Sequence, residues 1–163
     1  NINILGEGNN ILIRKFDNTV TPIWSRIYNG RFSGNDYGED VAVDNTGNVY
    51  VTGSEATGDS TFQPWTGRYD NDGNLIWGQI VGGLGVAQNN LGDIYATGGA
   101  TASLSETSRI NPINGEILCA VSEEARIRTT DIAVDDSGNV YLTGGEETPG
   151  EGENIWVKRY SGF

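Results

Sequence analysis

The sequence predicts an all-β chain: an array of small antiparallel sheets, one per repeat of about 46 residues. Three observations carry that prediction. A fourteen-residue phrase recurs without a gap, as DVAVDNTGNVYVTG over residues 40–53, GVAQNNLGDIYATG over 85–98 and DIAVDDSGNVYLTG over 131–144. A half-copy, INILG at 2–6, aligns with the end of that phrase, so closing glycines fall at 6, 53, 98 and 144. Glycine is also abundant, 24 of 163 residues, as strand-dense folds with many tight turns require.

Each full unit reads as four strands. The first alternates apolar and polar positions, with Val41 and Val43 in one copy and Ile132 and Val134 in another. It runs into a polar turn at 44–48 or 135–139, where Asp, Asn and Ser bond the local backbone. Gly47 and Gly138 are expected at positive φ in these turns. The second strand follows at once as Val49-Tyr50-Val51-Thr52, Ile94-Tyr95-Ala96-Thr97 and Val140-Tyr141-Leu142-Thr143, β-branched and aromatic residues in period two. Variable stretches over 55–64, 99–106 and 145–154, rich in Gly, Ser, Thr and Glu, read as exposed loops. A basic residue before an apolar one marks the third strand: Lys15-Phe16, Arg68-Tyr69, Arg109-Ile110 and Arg159-Tyr160. A turn at 70–74 leads to the fourth, Leu75-Ile76-Trp77, matched by Pro22-Ile23-Trp24 and Ile117-Leu118-Cys119. Cys119 therefore occupies a tryptophan position, and it is expected to be a buried packing residue. No segment reads as a helix of useful length.

Composition excludes several classes of function. With 22 acidic residues against 10 basic ones, net charge −12, the chain repels nucleic acid and anionic membranes. Histidine is absent, which removes the side chain best suited to proton transfer near neutral pH and any Ser-His-Asp triad. A single cysteine rules out an intrachain disulfide framework and a thiolate metal cluster. No apolar run approaches the length of a membrane-spanning helix. The chain has neither an initiator Met nor a signal peptide, and it reads as a processed form or a fragment.

The phrase over 40–53 and 131–144, with Arg68 to Trp77 and Gly82-Gly83 after it, resembles the SBBP-type β-propeller repeats and, more loosely, the NHL repeats. The middle copy departs from the pattern, with Gly85, Gln88 and Asn89 in place of Asp, Val and Asp. The resemblance implies a β-propeller of four-stranded blades, about four of them, with the first and last incomplete. The units are a partial blade over 1–30, blades over 31–83 and 84–122, and a partial blade over 123–163. It also implies a secreted or cell-surface protein, and it brings no catalytic set to carry over.

Candidate sites are sparse. Asp70-Asn71-Asp72-Gly73-Asn74 sets oxygens at alternate positions, as a Ca²⁺ loop does, but its glycine comes too early for an EF-hand, and a strand-connecting turn is preferred. The acid pairs Glu39-Asp40, Glu123-Glu124 and Glu146-Glu147 do not make a glycosidase dyad, because neighbours in a strand point to opposite faces. Phe62 and Trp65 fall in a variable stretch, where exposed aromatics stack on sugar faces or anchor a protein partner. They are the candidate binding residues; no catalytic residue, metal ligand or cofactor is assigned.

The expected protein is thus a non-enzymatic extracellular or cell-surface β-propeller with a structural, adhesive or assembly role through blade edges and loops. Its partners are other copies or other protein chains paired at strand edges, and glycans. A carbohydrate- or ligand-binding module and a fragment of a larger propeller enzyme are the alternatives.

Overall fold

The phrase repeats because each copy builds the same two strands and the turn between them. In the computed structural model, which describes residues 1–4, 8–58, 61–101, 104–124 and 126–162, fourteen strands form four antiparallel sheets. The first sheet holds β1 (Ile2–Ile4), β2 (Gly8–Phe16) and β3 (Pro22–Tyr28). The second holds β4 (Tyr37–Val43), β5 (Val49–Ala56), β6 (Phe62–Tyr69) and β7 (Leu75–Gln79). The third holds β8 (Gly85–Gln88), β9 (Ile94–Thr101), β10 (Leu104–Ile110) and β11 (Ile117–Ser122). The fourth holds β12 (Ile127–Val134), β13 (Val140–Thr148) and β14 (Gly152–Tyr160). In every sheet sequential strands are spatial neighbours, the up-and-down order of a propeller blade. No helix occurs among the described residues.

The strands run further than their composition suggests. β5, β9 and β13 continue past the closing glycine, and β6, β10 and β14 begin early, so the stretches read as loops are largely hairpin arms. Their buried positions include polar, small and glycine residues such as Gly53, Glu55 and Ala56, so no hydrophobic alternation marks them.

The polar turns fold as expected. Asp44 Oδ1 accepts the N–H groups of Thr46 and Asn48, each at 2.9 Å, while Gly47 takes φ +85°. Asp135 does the same for Ser137 and Asn139, with Gly138 at φ +78°. Asn89 substitutes for Asp in the middle copy, its Oδ1 accepting from Leu91 and Asp93. The loop at 17–21 uses the same scheme, Asp17 Oδ1 accepting from Thr19 and Thr21, but places Val20 in the glycine slot at φ +64°. A β-branched residue in the left-handed region is strained, and Val20, 75 % exposed, gains little from packing in return. Val20→Gly is therefore expected to stabilise the chain by about 0.5–1 kcal/mol, read from urea unfolding midpoints. A loss of stability would refute the strain assignment.

Three apolar cores lie between consecutive sheets. Ile11, Ile13 and Trp24 of the first sheet pack on Val49, Val51, Trp65 and Tyr69 of the second. Tyr50 and Trp77 of the second pack on Ile94, Ala96 and Ile110 of the third. Tyr95 of the third packs on Ile132, Val140 and Leu142 of the fourth. Each sheet thus has a backward face toward the preceding blade and a forward face toward the next, set by the two-residue side-chain period.

The forward face carries a recurring polar clamp. Lys15 Nζ and Trp24 Nε1 donate to the carbonyl of Asn71 in the next blade, at 3.3 and 3.0 Å. Arg68 Nη1 and Trp77 Nε1 donate to the carbonyl of Pro112, at 2.9 and 3.0 Å. In the third blade Arg109 turns instead to Asp93 at 2.6 Å, and Cys119 has no indole N–H to offer. Cys119 is half-buried on β11 rather than buried, because its small side chain does not reach the next blade as Trp24 and Trp77 do. Two residues of the phrase add further links: Thr52 Oγ1 accepts the N–H of Gly83, and Asp40 Oδ2 accepts that of Val86.

Candidate functional site

At the end of the blades where the inner strands β4, β8 and β12 begin, three sheets converge around a cleft of about 390 Å³. Glu39 and Phe62 come from the second sheet, Ser105 from the third and Arg128 from the fourth, with the backbone at Gly83 and Leu84 between them. Phe62 opens β6 and is 47 % exposed, tilted against Tyr37 with ring centroids 5.6 Å apart. Glu39 and Arg128 both line the cleft, and neither carboxylate nor guanidinium has an ion-pair partner among the described residues. Ser105 Oγ is fixed by accepting the N–H of Thr129 at 2.9 Å, which leaves its own proton to donate. The cleft therefore joins an apolar ring to a free carboxylate, a free guanidinium and a hydroxyl.

Of the two aromatic candidates, only Phe62 lies there. Both belong to strand β6 rather than to a loop, and Trp65 is 2 % exposed. Its ring stacks on Tyr28 of the preceding blade at 3.9 Å between centroids, inside the core between the first two sheets. Residues 62 and 65 are an odd number of positions apart, so their side chains point to opposite faces of the sheet.

A second polar cluster, signalled by no spacing in the sequence, links Tyr28 and Gly30 to β5 and β6. Asp36 and Glu55 are both fully buried. Asp36 accepts the N–H of Gly30 at 2.7 Å and of Ala56 at 3.1 Å, pinning the 29–36 connection to β5. Glu55 accepts the Tyr28 hydroxyl and the Gln63 amide. Burial, then the bond to Glu55, pushes the Tyr28 hydroxyl well above the usual phenol range. Every donor aimed at these acids comes from the protein itself, so the cluster ties two blades together and presents no acid to solvent.

The loop at 70–74 is a turn of the common type. Asp70 Oδ1 accepts the N–H groups of Asp72 and Asn74 at 3.0 and 2.8 Å, Oδ2 takes the Asn74 amide, and Gly73 sits at φ +81°. The bonds from Asn74, side chain first, hold the Asp70 carboxyl below the ordinary value. Among the described residues no group of three or more acidic, cysteine or histidine side chains is arranged to hold a metal ion.

The family model of the SBBP β-propeller repeat matches residues 23–54 and 122–144. The first match runs from β3 through β4 to β5, across the junction of two blades, and the second runs from the end of β11 through β12 into β13. The matched stretches thus hold the phrase together with the strand that feeds it. Within those two stretches the chain matches the SBBP β-propeller repeat, and its described residues form all-β sheets of three and four strands. No curated protein matches the sequence.

Proposed function

We propose that this chain is a non-enzymatic, extracellular adhesive propeller that binds a saccharide in the cleft among its second, third and fourth sheets. The observation that carries this reading is that the half-exposed Phe62 ring and the unpaired Glu39 and Arg128 line one cleft. A pyranose presents an aliphatic face that packs on an aromatic ring, and vicinal hydroxyls that a carboxylate and a guanidinium bond bidentately. The two opposite charges favour a neutral ligand, and net charge −12 repels an anionic one.

Turnover is disfavoured by what the cleft contains. Glycoside hydrolysis needs two carboxyl groups facing each other at a defined separation, and among the described residues Glu39 is the one acid of the lining. The buried acids Asp36 and Glu55 are sealed from substrate, and the chain has no histidine to move a proton.

Calorimetric titration with a panel of neutral oligosaccharides tests the reading. The wild-type chain should bind at least one of them, and Phe62→Ala should weaken that binding by roughly ten-fold without lowering the melting temperature appreciably. Absence of binding across the panel, or release of hydrolysis products, would overturn it.

A further inference from the structure

The third sheet departs from the repeat at two of its turns, and the departures meet in one place. Leu91 stands where the other copies of the phrase have Thr46 and Ser137. The turn after β10 is longer than its counterpart in the second sheet: the Asn111 N–H bonds the carbonyl of Glu116, whereas the Asp70 N–H bonds that of Asn74. That turn carries Pro112 and Ile113, where the second sheet has Asn71 and Asp72.

Leu91 and Ile113 both line a cleft of about 290 Å³ between the second and third sheets, and they are 74 % and 76 % exposed. Their own turns do not need these side chains. Asn89 and Asn111 accept the N–H groups of Leu91 and Ile113 at 3.0 and 2.9 Å, bonds that any residue with an N–H can make. Room is left beside Leu91: at Gly92 nothing lies within 4 Å of the point where a Cβ would stand, whereas at the matching Gly47 the Asn71 side chain fills that space. Two large aliphatic side chains exposed along one cleft, on a chain of net charge −12, mark an interaction surface.

Arg68 supplies the polar part of the lining. Its Nη1 is spent on the carbonyl of Pro112, but its Nε is buried with no acceptor. It makes no ion pair among the described residues, whereas Arg109, at the same place in the third sheet, pairs with Asp93. The second sheet has Asn48 where the third has Asp93, and Asn48 turns its amide to Asp44. Asp44, the one acid of this lining among the described residues, is occupied by Thr46, Asn48 and Tyr50. The cleft is thus balanced in charge but short of an oxygen acceptor. The fold also shows which oxygen a guanidinium takes at a blade junction: Arg26 Nε and Nη2 donate to the carbonyls of Gly73 and Asp72 at 2.6 and 2.9 Å.

We propose that this cleft docks an extended segment of another polypeptide, with an aliphatic side chain packed against Leu91 and Ile113 and a main-chain carbonyl accepting from Arg68. Other occupants fit it less well. A saccharide packs on an exposed ring, and Tyr50, the one aromatic residue described in the lining, is 1 % exposed. An anion meets Asp44 and the field of an acidic chain. A peptide supplies both parts in one unit, an apolar side chain with a carbonyl on either side of it. Asn45 and Gln88, also in the lining, offer side-chain amides to the rest of its backbone. The site lies where β4 and β8 end, away from the saccharide cleft at the beginning of those strands, so the two are separate sites.

A titration followed by amide chemical shifts tests this with N-acetyl-leucine methylamide, one aliphatic side chain between two carbonyls. The wild-type chain should show saturable shifts at residues 88–92 and 111–115, with a dissociation constant in the millimolar range. The glycine counterpart, which lacks the side chain, should bind roughly ten-fold more weakly. Leu91→Ser and Ile113→Ser, at exposed turn positions, should each weaken the leucine probe several-fold at an unchanged melting temperature. Arg68→Lys keeps a donor for the Pro112 carbonyl, as Lys15 does for that of Asn71, but loses the planar fork, and it should weaken the probe as well. Absence of saturable shifts at these residues would overturn the proposal. So would equal binding of the glycine probe, unchanged affinity in Leu91→Ser or Arg68→Lys, or tighter binding of N-acetyl-leucine, whose carboxylate would mark an anion site.

Discussion

Gly144→Ala is expected to lower stability by about 3 kcal/mol, roughly 6–12 °C in melting temperature, although alanine is ordinarily harmless in a strand. The cause is the approach of another backbone. Gly144 lies opposite Thr129 at an irregularity in the pairing of β12 and β13, and a Cβ there would overlap the carbonyl of Arg128 and come within 2.9 Å of the Thr129 Cα. Gly53 meets the carbonyl of Tyr37 in the same way, opposite the irregularity between Gly38 and Asp40. Gly98 meets the carbonyl of Gly82 ahead of β8. The glycine that closes every copy of the phrase is thus required by space: the second strand passes under the kinked start of the first. A backbone cannot give way as a flexible side chain does, so the strain is spread through the sheet. Gly150→Ala is the control. Gly150 sits at φ +86° with nothing within 4 Å of the point where a Cβ would stand, so alanine there should cost about 1 kcal/mol. Urea unfolding of both variants decides the matter, and a Gly144→Ala loss no larger than that of Gly150→Ala would rule out the close approach. Gly6, the corresponding glycine of the half-copy, lies outside the described residues.

Much of this fold was legible because its determinants are local. The Asp, Gly and Asn of the turns at 44–48 and 135–139 act on backbone within four residues of themselves, and such chemistry survives in a sequence as a fixed spacing. The second strand was legible for a related reason, since aliphatic Val49, Val51, Val140 and Leu142 share one buried face while Tyr and Thr take the other, and a period of two follows. Sheet-to-sheet chemistry was not. Asp40 reads as the head of a phrase, yet one of its oxygens serves Val86, 46 residues away. Nor does any spacing bring Glu39, Phe62 and Arg128 into one cleft, since that depends on how three sheets converge. Trp65 is the instructive miss. Its neighbours Pro64, Thr66 and Gly67 resemble a loop, but it stands four residues before Tyr69, as Trp156 stands four before Tyr160. That shared offset marks a packing position of the repeat, and Trp156 packs on the core of the fourth sheet in the same way.

Trp65→Ala is expected to cost about 3–5 kcal/mol, against less than about 1 kcal/mol for Phe62→Ala three residues earlier. The two aromatics look equivalent in sequence, but they differ in what surrounds them. Trp65 has 2 % of its surface in solvent, stacks on Tyr28 and shares a core with Ile11, Ile13, Trp24, Val49, Val51 and Tyr69. Its truncation leaves a cavity between two blades that a sheet-on-sheet contact cannot collapse to fill, so the loss includes missing contacts as well as transfer to water. The ring also covers Gly67 and Gly78, where any side chain would collide with the indole and which have none to fill the space it leaves. Phe62, 47 % exposed, leaves no enclosed void when truncated. Measured together, stability and saccharide affinity should separate the residues. Phe62→Ala should lose affinity while remaining folded, whereas Trp65→Ala should keep wild-type affinity in whatever fraction stays folded. A Trp65→Ala chain with an unchanged urea midpoint would remove Trp65 from the core, and one that is fully folded yet unable to bind would return it to the binding site.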